Sequence, residues 1–217
     1  MTHSAKDHLL AVVKAGLSAV PTVGGPIASL IGDYVPSSTQ VAIERATKIL
    51  GEKVDELQSR IDVDAVNKDD FSELFKSCYL VIVRTTREEK LQAAAAILAN
   101  ILLRPGDPAK SPYEELDHLI RCIDTLSIGA LSVLGAARQI AATAGQGTQR
   151  SFQFAQLRSA FSSFDPALTM SLASELRALN LVRIQEGAIR VPDYGEVLIE
   201  VTPIGERLVD RFIEGRM

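Results

Sequence analysis

The side chains that most often carry metal or nucleophile chemistry are few here: His3, His8 and His118, with Cys78 and Cys122. A metal site or an activated nucleophile needs such groups at short, repeated spacings, such as two histidines four apart on a helix or a C-x-x-C pair. No two histidines stand four apart, and the cysteines are separated by 44 positions. His118 follows Asp117 directly, but neighbours on a helix point to different faces, so the two do not form an acid–base pair. Cys78 and Cys122 each sit among apolar residues at helical spacing and read as inert core thiols. Paired carboxylates at Asp69-Asp70, Glu88-Glu89 and Glu114-Glu115 fall in or just before expected first helical turns. There the free N–H groups and the helix dipole favour negative charge without any catalytic role. Thr22-Val23-Gly24-Gly25-Pro26 lacks the Gly-Lys-Ser/Thr ending of a phosphate loop, and Gly145-Gln146-Gly147 follows a helix rather than a strand. No metal cluster, cofactor loop or nucleophile–base pair emerges, and the expectation is a protein that is not an enzyme and takes no cofactor.

The chain has 217 residues, 47% hydrophobic and 23% charged, with 23 basic residues against 27 acidic ones. That balance excludes global disorder and a strongly basic nucleic-acid binder. Two cysteines make no disulfide framework, which points to a reducing cytoplasm. The run Leu9–Val20 resembles a signal-peptide core only superficially: Lys14 interrupts it and Asp7 occupies the region that should be positive.

The elements come as a succession of helix signals. Ser4 can cap a first helix with Leu9, Val13, Leu17 and Val20 along one face, and a second, short apolar helix spans about Ile27 to Val35. Ala15–Gly32 contains no charge, yet two prolines and four glycines divide it, so a buried helical hairpin is expected rather than a membrane span. Ser37 and Gln40 suit a capping box for a third helix, along which Leu50, Val54, Leu57 and Ile61 repeat at four, three and four. A fourth helix carries Phe71, Leu74, Phe75, Cys78 and Ile82. A fifth is expected to open on a capping box of Thr86 and Glu89, and its Ala93–Ala96 run invites close approach of a neighbouring helix. Arg104-Pro105-Gly106-Asp107-Pro108 breaks the chain, and Ser111-Pro112 opens a sixth helix to about Asp124.

Beyond Ser127 the pattern changes. Helices are expected over about 128–142, 154–161 and 166–179, then two β-rich runs, Leu181–Ile184 and Val197–Val201, then a helix capped by Thr202-Pro203. The order helix, helix, helix, hairpin, helix resembles a winged helix. So does the junction Ala173–Val182, where Asn180 occupies the left-handed position that usually ends the third helix of that fold. The hairpin is expected to be the only substantial β structure. A second resemblance rests on layout: the Pro/Gly-broken apolar start, Arg84-Thr85-Thr86-Arg87-Glu88-Glu89-Lys90, Ile97-Leu98-Ala99-Asn100 and the Leu126-Ser127 junction. This layout is similar to uncharacterised bacterial and phage-associated helical proteins of the abortive-infection alpha type, which implies a setting in stress or phage defence but brings no catalytic motif.

A winged helix raises DNA binding, and charge weighs against it. From Thr148 to Met217 there are eight basic residues and nine acidic ones. The helix that would enter the major groove offers only Arg177, with Arg183 and Arg190 flanking the wing tip, whereas phosphate contacts usually need several cations. The expectation is therefore a mainly α protein, a helical bundle over 1–125 followed by a winged-helix domain over 126–217. It would act as a cytoplasmic interaction protein, with the winged helix as a protein-binding adaptor. Self-association would use Leu50, Val54, Leu57 and Ile61, or Leu17 and Ile27 of the apolar hairpin. DNA binding through Arg177, Arg183 and Arg190 is the first alternative, and membrane action by the hairpin the second. No small-molecule substrate is evident.

Overall fold

A computed structural model describes residues 37–62, 64–144, 151–185 and 197–215. The expected helices before Ser37, with Leu17 and Ile27, the loop Gly145-Gln146-Gly147 and the wing tip with Arg190 lie outside the described residues. The chain is mainly helical, with a small antiparallel sheet of three strands. It divides into two compact units between Asp124 and Thr125.

The first unit contains α1 (Ser37–Glu56), α2 (Lys68–Arg84), α3 (Glu88–Asn100) and α4 (Tyr113–Thr125, whose last residue falls past the division). At its centre is α3, which packs against both α1 and α2. Leu91 and every residue from Ala93 to Asn100 are buried, leaving Gln92 as the one fully exposed residue between Leu91 and Leu103. A helix buried all round needs small side chains where neighbours cross, and the Ala93–Ala96 run supplies them. Leu50 and Val54 of α1 and Leu57 just beyond it are buried in the same core.

The third expected helix differs in where it stops. α1 ends at Glu56, a 3-10 turn spans Gln58–Arg60, and Ile61 is extended in a bridge to Leu103. The bridge is held by Asp62 N–H on the Leu102 carbonyl at 3.0 Å and Arg104 N–H on the Arg60 carbonyl at 2.8 Å. The four-three-four spacing thus runs past the helix, because extended backbone delivers its last apolar residue to the same core. The opening of α3 differs as well. It starts at Glu88 with no side-chain cap on Arg87, and Thr85, not Thr86, accepts the Arg87 N–H at 3.1 Å. By contrast, Asn67 caps α2 through Asp69 N–H and Asp70 N–H, with both carboxylates in the first turn.

The second unit runs α5 (Ile128–Ala144), β1 (Ser151–Gln153), α6 (Phe154–Ala160), α7 (Pro166–Ala178), β2 (Val182–Gln185), β3 (Leu198–Val201) and α8 (Pro203–Arg207). The last helix continues as a π-helical turn, Leu208–Ile213. The sheet order is β1-β3-β2, both pairs antiparallel. The hairpin is therefore not the only β structure: β1 pairs with β3 through Phe152 opposite Ile199. Three residues show no readable alternation, so only the burial of Phe152 between two unburied neighbours marks the strand.

Two junctions fix this unit. Asp165 caps α7 by accepting the Ala167 N–H at 2.7 Å. At the other end Asn180 adopts φ 57°, and the Leu181 and Asn180 N–H groups return to the carbonyls of Leu176 and Arg177. That pairing is a Schellman closure with asparagine at the left-handed position. Thr202 then ties the end of the sheet to the start of α8. Its hydroxyl donates toward the Asn180 and Leu181 carbonyls at 2.8 and 3.0 Å and accepts the Gly205 N–H at 3.1 Å.

Gly205 is the consequence of that closeness. A Cβ at this position would lie 2.2 Å from the Leu181 carbonyl oxygen, a backbone atom that cannot swing aside. Gly205→Ala is expected to cost about 1–3 kcal/mol of stability in urea unfolding. Gly135→Ala, where nothing lies within 4 Å of the new Cβ, is expected to gain about 0.5–1 kcal/mol from helix propensity. Equal effects of the two substitutions would show that the Leu181 contact is relaxed in solution.

Candidate interaction surfaces

The strongest polar cluster of the first unit is one the sequence reading did not single out. The chain break after α3 folds back onto the 3-10 turn that follows α1, where Arg60 grips the buried Asp107 with two parallel bonds, Nε to Oδ2 at 2.9 Å and Nη2 to Oδ1 at 2.6 Å. Asp107 also accepts the Ala109 N–H at 2.9 Å. The fully buried Asn100 donates to the Ala109 carbonyl and accepts the Ser111 N–H, each at 2.8 Å. Lys110 donates to the carbonyls of Ile101 and Leu103 at the end of α3. The Arg60 guanidinium, then the Ala109 N–H, hold the Asp107 carboxyl down at about 2. Every buried side-chain nitrogen and oxygen among the described residues has a partner, so the cluster aims no orphaned polar group at a ligand. Its chemistry is that of a lock on the loop.

His118 and Cys122 lie four apart on α4, a mixed pair that the spacings of paired histidines or paired cysteines do not reveal. The structure brings Cys122 Sγ to 3.5 Å from His118 Nε2. Burial pushes the Cys122 thiol up to about 11, and burial also raises that of Cys78, so both are protonated at neutral pH and poor nucleophiles. Asp117 pairs with Arg121 rather than with the histidine. Among the described residues no group of three or more histidines, cysteines or carboxylates could hold a metal ion. No helix among them is long and apolar enough to cross a membrane.

The seam expected to mediate self-association is used inside the unit. Leu50, Val54 and Leu57 are 7%, 4% and 5% exposed, and Ile61 is half-buried in its bridge to Leu103. The spacing that makes a coiled-coil seam is the same spacing that faces α1 toward α3, so Leu50, Val54 and Leu57 are taken up by the core of their own unit. Leu17 and Ile27 lie outside the described residues.

In the second unit two of the three candidate nucleic-acid residues, Arg177 and Arg183, are among the described residues. Arg177 is exposed on the flank of α7. Arg183 stands opposite Glu200 in the sheet register, and its Nη1 lies 3.5 Å from the Glu200 carboxylate. Arg190 lies outside the described residues. Thr169, Leu172, Ala173 and Leu176 turn α7 inward, leaving Ala167, Leu168, Ser171, Ser174 and Ala178 exposed on the other side. Glu175, the one acid on that helix, is occupied: it accepts the Ser127 N–H at 2.6 Å and the Ser127 hydroxyl at 3.0 Å. Ser127 in turn accepts the Ala130 N–H, so a carboxylate from α7 completes the N-terminal cap of α5. What remains outward is small apart from Leu168, 47% exposed, on one flank and Arg177 on the other. The preceding turn half-exposes Phe161 and Phe164, whose ring centroids are 5.3 Å apart.

Comparison with protein-family models, curated proteins and solved structures finds no match to the chain.

Because Asp107 ionises below its ordinary 3.8, its contribution to stability is complete above about pH 3.8 and disappears as pH falls through about 2. Asp107→Asn is expected to melt at a lower temperature than the parent at pH 7, with the gap closing over that acidic window. Thermal unfolding followed from pH 7 downward checks it, and a gap that stays constant to pH 2 would show that the carboxylate charge contributes nothing.

Proposed function

We propose that the chain is a non-enzymatic interaction protein whose second unit is a winged helix that binds a protein partner through the outward side of α7. The order of three helices, an antiparallel strand pair and a closing helix supports the winged-helix reading, as do the left-handed Asn180 and the Thr202 cap. The observation that carries the adaptor reading is the chemistry of α7. In a winged helix this element would enter the DNA groove, where affinity comes chiefly from cations set against phosphates. Here its exposed residues are Ala167, Leu168, Ser171, Ser174, Arg177 and Ala178, which leaves Arg177 as its one outward cation, and Arg183 of β2 lies beside Glu200. A surface of small residues with one exposed leucine and a single cation suits a protein interface better than a polyanion. The two cysteines and the absence of a membrane-crossing helix among the described residues support a cytoplasmic setting. The layout resemblance alone supports a role in bacterial stress or phage defence.

The test uses the whole protein against a genomic DNA pool and against proteins of the source cell. Binding to DNA is expected to be undetectable at physiological salt. A partner captured by the parent is expected to be lost with Leu168→Glu and retained with Arg177→Glu and Arg183→Glu. A DNA shift that weakens steeply with salt and disappears in the two arginine variants would replace the adaptor reading with the DNA-binding one.

A further inference from the structure

We draw no further inference here: the strongest candidate, the apolar flank of α2 on which Phe71, Phe75, Tyr79, Ile82 and Val83 are half-buried beside the exposed Leu80, is a helix face with nothing in the structure to show what covers it.

Discussion

A helix that presents almost nothing to water constrains everything around it, and α3 is such a helix. Its side chains from Ala93 to Asn100 are buried, so α1 and α2 must cover it on adjoining sides, and its C-terminal carbonyls must find partners inside the protein. An uncapped carbonyl buried there would cost about 1–3 kcal/mol. The loop that follows answers this need: Lys110 reaches back to Ile101 and Leu103, Asn100 binds the loop at Ala109 and Ser111, and Arg60 fastens Asp107. The Arg60–Asp107 pair, which in isolation resembles a candidate active-site ion pair, is intelligible as the closure of this one requirement.

The second unit solves a related problem with other residues. Here the crowded point is the Leu181 carbonyl, which receives the Thr202 N–H and the Thr202 hydroxyl and faces Gly205 at a distance that excludes a side chain. Around it the left-handed Asn180 turns the chain from α7 into β2, and Thr202 turns it from β3 into α8. Arg138 on α5 then grips Asp210 in the π-helical turn with three contacts between 2.9 and 3.2 Å. Glu175 on α7 and Asp210 in the closing turn are thus both engaged in holding elements together.

What could be read from the sequence is what local rules govern. Helix periodicity places α2 through α7 to within a few residues. The Asp165 cap, the Asn180 closure and the Thr202 cap on Gly205 each act through near neighbours, whereas the Thr202 bonds to Asn180 and Leu181 span 22 and 21 positions. What escaped the reading depends on partners far along the chain. The end of α1 at Glu56 is set by a bridge to Leu103, and β1 exists because β3 lies beside it. Asp107 finds Arg60 at a separation of 47, and Glu175 caps Ser127 at a separation of 48. The His118–Cys122 approach is local, at a spacing of four on α4, but a mixed pair of one histidine and one cysteine matches none of the paired spacings that mark a metal site. The Leu50–Ile61 seam shows a deeper ambiguity. A stripe repeating at three and four faces a core partner or another chain with equal ease, and only tertiary packing tells which.

The same ambiguity decides how polar residues should be weighed. A carboxylate or guanidinium in a sequence is a candidate for chemistry until its structural duty is known. In this chain the duties are specific: Asp69 and Asp70 at the start of α2, Asp107 in the loop lock, Glu175 at the cap of α5, Arg183 against Glu200 and Arg138 against Asp210. A charged side chain with such a duty is already accounted for by the fold, and its place in the sequence is then no argument for catalysis. The spacing rules that locate a helix cannot make that distinction, because the partner that gives each of Asp107, Glu175 and Arg138 its duty lies more than forty positions away.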